Sequence, residues 1–99
     1  MKHLKIASLS VIMLMPSVVA AQPATQIYKQ HCSTCHSSGI AGAPRKGSKY
    51  GWQSRLEAAG SIEQLVVSAK KGRRSMPPKG LCVSCSDTEL RAAIEFMMQ

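Results

Sequence analysis

Cys32-Ser33-Thr34-Cys35-His36 places two thiols three positions apart, with an imidazole directly after the second. Two thiols at that spacing can each add to one vinyl group of the same porphyrin and form two thioethers. The order Cys-x-x-Cys-His is that of covalent c-type haem attachment. His36 is then held beneath the iron, where a neutral imidazole nitrogen can bind it. Five residues make a short pattern with chance matches. The rest of the chain must therefore supply the opposite ligand, the apolar surroundings and the compartment.

Beyond residue 21 the thioethers are Met76, Met97 and Met98, and His31 is the only histidine besides His36. Met97 falls on an apolar helical stripe, where methionine is ordinary filling. Met98 is one residue from the terminus, where order is poor. His31 immediately precedes the haem cysteines and cannot easily reach the opposite porphyrin face. Met76 stands 40 residues beyond His36, before Pro77 and Pro78. The two prolines fix two φ angles and push Met76 into an extended conformation. That lowers the entropy lost when a loop holds a weak, soft ligand. The bland alternative is a surface methionine before a Pro-Pro turn; once a haem is granted, the axial role is the better reading. His/Met ligation favours ferrous iron and raises the reduction potential.

The elements that position these groups begin after a leader. Lys2, His3 and Lys5 give a basic start, Ile6 to Met15 is an apolar run of ten residues, Pro16 interrupts it, and Ala20 and Ala21 follow. This is the build of a secretory signal peptide over residues 1–21, cut after Ala20 (Val18 at −3) or after Ala21 (Val19 at −3). A membrane span would need about 20 apolar residues. The expectation is therefore an exported, periplasmic protein with no transmembrane anchor after cleavage, and a single domain over residues 22–99.

Of the 13 basic residues Lys2 and Lys5 lie in the leader, leaving eleven against five acidic side chains. Two haem propionates would lower that net +6 to about +4. A domain this small, with one Trp, one Phe and two Tyr, buries too little apolar surface to be comfortable alone. A porphyrin would supply the missing centre. Thr25 reads as the N-cap of a helix to Cys35, with Ile27 and Tyr28 inward. Residues 37–51 read as a glycine-rich loop, and Trp52 to Ala59 as a short helix stopped by Gly60. Ser61 and Gln64 form a capping box for a helix ending at Gly72, with Ile62, Leu65, Val66 and Ala69 on its buried face. Arg73 to Cys85 is a second loop. Ser86 and Glu89 cap a last helix whose inner stripe is Leu90, Ala93, Ile94 and Met97. No segment alternates with period two, so the fold class is all-α, with two long loops.

Ala43-Pro44, Trp52, Met76-Pro77-Pro78-Lys79-Gly80 and Cys82-Val83-Ser84-Cys85, set around the haem motif, resemble class I cytochrome c and, more narrowly, the cytochrome c5 group. The resemblance spans essentially the whole of residues 22–99. It implies a compact helical fold around one covalently held haem c, and electron shuttling in the periplasm. By the same resemblance Cys32 and Cys35 form the thioethers, and His36 and Met76 are the axial ligands of the iron. The resemblance also implies that the carbonyl of Pro44 accepts a hydrogen bond from the other ring nitrogen of His36, in line with the need for a partner that orients the imidazole. Trp52 and Arg55 are weaker carry-overs: either could donate to a propionate, although a buried Trp in a small core explains Trp52 as well.

Cys82 and Cys85 are followed by Ser86 and so lack the histidine of a second haem site. A zinc site shared with Cys32 and Cys35 would span 46 intervening residues, against about 15–20 in the usual ribbon. A thioredoxin-like dithiol would want a βαβ context. An oxidising compartment favours a structural disulfide, and the resemblance points the same way. Lys70, Lys71, Arg73, Arg74 and Lys79 flank Met76 and could steer redox partner proteins with an acidic surface to the haem edge. Basic residues without interleaved aromatics in an exported chain do not suggest nucleic acid. The leading expectation is a one-electron carrier, not an enzyme. The alternatives are a haem enzyme or gas sensor with an open sixth site, and a haem-free zinc or dithiol module.

Overall fold

Serines set where three helices of this chain start, and a proline sets a fourth. The computed structural model describes residues 2–15 and 20–99; Pro16, Val18 and Val19, invoked for the leader, lie outside the described residues. Among the described residues the helices are α1 Ala24–Ile27, α2 Ser33–His36, α3 Lys49–Ala59, α4 Ile62–Lys71 and α5 Asp87–Met98. There is no strand among them, only an isolated bridge between Arg73 and Met76. The all-α expectation holds.

α1 and α2 are joined by a π-helical stretch, Tyr28–Cys32, into one continuous run. The Ser33 N–H reaches back five residues to the Tyr28 carbonyl, and Cys32 relaxes to φ −108°. Short π insertions are rare and concentrate at functional sites. The expected plain helix with Thr25 as N-cap is corrected on both counts. Pro23, at φ −58°, already has helical φ, and its carbonyl accepts from Gln26 and Ile27 N–H at 3.0 and 3.1 Å. The chain therefore enters the helix ahead of Thr25, with no side-chain cap.

α3 also starts earlier than its sequence suggests. Ser48 Oγ accepts from Gly51 N–H at 3.2 Å, and Gly51 lies in the first turn instead of a loop. Gly60, at φ +97°, ends the helix as expected. α4 starts on Ser61, whose Oγ accepts from Gln64 N–H at 3.2 Å. Only this half of the anticipated capping box forms. Leu65, Val66 and Ala69 are buried along α4, with Ile62 partly buried against them.

α5 has the full capping box: Ser86 Oγ accepts from Glu89 N–H at 3.1 Å and Glu89 Oε1 accepts from Ser86 N–H at 3.0 Å. Its stripe of Leu90, Ala93, Ile94 and Met97 is buried, packed on α1 and α4. Ile27 is fully buried, which stabilises the fold by about 1.5–3 kcal/mol. Tyr28 meets Phe96 with ring centroids 5.4 Å apart.

The Glu89 carboxyl is held below its ordinary value of 4.5, chiefly by the Ser86 backbone N–H and then by that of Gln22. A depressed carboxylate stabilises the fold above the unfolded pKa, and that contribution is lost as pH falls through the folded one. Glu89→Gln is therefore expected to melt earlier than wild type at pH 7. The gap in thermal midpoint should close on acidification below about pH 4.5; a gap independent of pH would reject the cap's electrostatic part.

Candidate functional site

His36 ends α2, buried, with Nδ1 2.7 Å from the Pro44 carbonyl oxygen. A carbonyl only accepts, so Nδ1 carries a proton and donates it; in the neutral ring Nε2 then keeps its lone pair. Nε2 has no hydrogen-bond partner among the described residues. The Trp52 ring lies along the imidazole, centroids 5.5 Å apart and planes 20° apart. Trp52 Nε1 donates to the Arg45 carbonyl at 2.9 Å. The loop between is pinned at two adjacent residues: Lys46 N–H donates to the His36 carbonyl at 2.7 Å and Gly47 N–H to the Met97 carbonyl at 2.8 Å. A Cβ on Gly51 would crowd the capping Ser48 Oγ at 3.0 Å and touch Pro44 Cβ at 3.4 Å.

Cys32 is half-buried and Cys35 exposed, both as free thiols. Met76 is reached through a tight turn in which Arg73 N–H donates to the Met76 carbonyl at 3.0 Å and Met76 N–H to the Arg73 carbonyl at 2.8 Å. Arg74 sits at φ +51° in that turn. Behind it, Gly72 is packed against backbone: a Cβ there would lie 2.8 Å from the Met76 carbonyl oxygen and 2.9 Å from Pro78 N. Met76 itself is partly buried against the core.

Cys82 and Cys85 are buried and joined, Sγ to Sγ 1.98 Å. Joined sulfurs cannot serve as two thiolate ligands, which leaves the four-cysteine zinc alternative without half its donors. The single N–H of Trp52 is donated to the Arg45 carbonyl. Arg55 gives one N–H, from Nη2, to the Gly42 carbonyl at 2.9 Å and keeps four others.

The basic cluster is smaller than its sequence suggests. Lys70 pairs with Asp87 at 3.0 Å. Lys79 Nζ turns inward to the Cys85 and Val83 carbonyls at 3.1 and 3.5 Å. Lys71, Arg73 and Arg74 remain exposed. Sequence reasoning missed the Trp52–His36 stack, the Lys79 bonds and the close packing at Gly72. Of these only Gly72 left a signal, a glycine just ahead of the Met-Pro-Pro segment. Two surface grooves, at Val66, Val67 and Thr88 and at Tyr50, Gln53 and Glu57, hold none of the site residues.

A buried imidazole with its proton fixed on one nitrogen, and two free thiols on the same helical run, fit a covalently held haem. Known proteins agree. A family model described as cytochrome c oxidase, cbb3-type, subunit III matches residues 19–97. This chain belongs to the class I c-type cytochromes, and it carries one covalently bound haem c. Within them it is similar to cytochrome c5 of Ectopseudomonas mendocina, 42% identical over 77 residues that cover 78% of this chain and 88% of that protein. A mono-haem ferrocytochrome c from Shewanella putrefaciens superposes with a TM-score of 0.68 at 43% identity, covering 80% of this chain and 95% of its own. A chain from an electron transfer complex of nitrite reductase with cytochrome c gives a TM-score of 0.67 at 35% identity, with coverage of 80% and 95%. The chain is an electron carrier of that class.

Proposed function

We propose that this protein is an exported, periplasmic one-electron carrier that transforms no substrate, with His36 and Met76 on the two sides of the iron. The observation that carries this reading is the His36 Nδ1–Pro44 bond. It fixes the neutral tautomer and offers Nε2 as the donor, which is what an axial imidazole must do. Bound haem c supplies an iron that gains and loses one electron. Cys32 and Cys35 hold it through their sulfurs. Trp52 keeps the imidazole plane from turning and shields it from water. Met76 is a soft donor whose loop is already set by the 73–76 turn, Pro77 and Pro78, and it biases the iron toward the ferrous state. Arg55, with N–H groups left over after its bond to the Gly42 carbonyl, is the candidate to serve a propionate.

The leader reading belongs to the same proposal. All described residues from 2 to 15 and from 20 to 22 are exposed, and the chain joins the domain where Gln22 N–H donates to Glu89 Oε2 at 2.9 Å. Among the described residues no helix is long and apolar enough to cross a membrane. An oxidising compartment would keep Cys82 and Cys85 joined. Their four-residue loop gives little chain entropy, so the bridge acts locally, tying the Met76 loop to the start of α5. Redox proteins are the partners in this reading, as the similar chain in the nitrite reductase complex suggests. Lys71, Arg73 and Arg74 would meet an acidic surface there.

Met76→Ala tests the ligand assignment. The ferric wild type is expected to show a weak far-red absorbance from its iron–thioether bond and, once reduced, to bind carbon monoxide slowly. The variant should lose that absorbance, bind carbon monoxide rapidly and show a lower reduction potential. Rapid binding by the wild type would favour an enzyme or sensor with an open site.

A further inference from the structure

We propose that Lys79 is a positioning residue: its ammonium clamps the Met76 loop to the cysteine-bridged corner and so holds the Met76 thioether in place. This rests on the reading of Met76 as the axial ligand. Lys79 Nζ donates to the Cys85 carbonyl at 3.1 Å, with the Val83 carbonyl at 3.5 Å. Cys85 is the residue before the Ser86 cap of α5, so the bond ties the loop to the best-anchored helix of the domain. A half-buried ammonium needs such acceptors, and bonds from a charged donor are the stronger ones.

The backbone gives the second line of argument. Lys79, Gly80 and Leu81 stand at φ +58°, +56° and +69°, three left-handed residues in succession of which one is glycine. L-residues disfavour this conformation, and it persists only where the surroundings over-determine it. Leu81 is 68% exposed and contributes little packing of its own. What fixes the run is Gly80 N–H to the Pro77 carbonyl at 3.0 Å, Cys82 N–H to the Lys79 carbonyl at 3.0 Å, and the Lys79 side chain. A Cβ on Gly80 would stand 3.9 Å from Met76 Cε. The run thus passes beside the methionine methyl at Gly80. If it drifts, Met76 gains room to leave.

The test uses the holoprotein with Lys79→Met, Lys79→Arg and Lys79→Gly. The readouts are the far-red absorbance and the rate at which imidazole displaces Met76 from ferric iron. Lys79→Met keeps the stem and removes the donor; it should bind imidazole about tenfold faster, the worth of one charged hydrogen bond. Lys79→Arg should stay near wild type. Lys79→Gly relieves the backbone while deleting the clamp, and it keeps the test open if Lys79→Met folds poorly. Faster imidazole binding by Lys79→Gly supports the clamp; wild-type rates in both Lys79→Gly and Lys79→Met overturn it. If Met76→Ala leaves the far-red absorbance and imidazole rate unchanged, the ligand reading itself has failed and takes the clamp with it.

Discussion

Gly72→Ala is expected to cost at least about 3 kcal/mol and to weaken the far-red absorbance assigned to Met76. The new Cβ would stand 2.8 Å from the Met76 carbonyl oxygen, 2.9 Å from Pro78 N and 3.1 Å from Pro77 C. All three are backbone atoms, so no side chain can rotate away to make room. The conformation adds to the cost: φ +80°, ψ 156° lies in a region essentially reserved for glycine. Gly60 is the natural control. It too has positive φ, +97°, but a Cβ there would meet nothing within 4 Å. Gly60→Ala should cost only the left-handed strain, about 1–2 kcal/mol, and leave the absorbance alone. Denaturant unfolding of the two holoproteins, with the ferric spectrum of each, decides it. Equal losses in both variants would mean that Gly72 does no more than end a helix.

Trp52→Ala should be about as damaging, at about 3–5 kcal/mol for a buried aromatic. Trp52 is 5% exposed, and its removal leaves a void beside the imidazole it stacks on. For a domain of this size the thermal midpoint should fall by more than about 12 °C. Trp52→Phe keeps an aromatic face against His36 but removes the N–H donated to Arg45. It should cost about 1 kcal/mol, the worth of one neutral hydrogen bond. A calorimetric scan of both variants separates packing from hydrogen bonding. Similar losses in the two would place the weight on the indole N–H instead of the ring.

The legible parts of this chain are those written in local chemistry. Ser86 with Glu89 announces a helix start because both bonds of the capping box fall within four residues. Leu65, Val66 and Ala69, and the stripe from Leu90 to Met97, announce their faces through spacing alone. Cys32, Cys35 and His36 are legible because a single short segment holds all three. The π stretch was not legible: apolar spacing fits an α-helix nearly as well, and the signal is in the backbone. Gly51 reads as loop punctuation, since a glycine in the first turn of a helix looks the same in sequence as one that turns a chain. The inward turn of Lys79 depends on where Cys85 comes to rest, which no window around Lys79 encodes. The stack of Trp52 on His36 joins residues brought together by an intervening loop, and only folding reveals it.

The π stretch carries one more residue than an α-helix would use over the same rise. Each residue swings the direction of side chains by about 100°. Ile27 looks into the core on one side of that swing, and Cys32, Cys35 and His36 take their headings from the other. A gene shortened by a single codon between Tyr28 and His31 would still spell the attachment motif without a letter out of place. The shortened run would close as plain α-helix over the same rise, so its sulfurs would keep their headings and only the widened turn beside them would be lost.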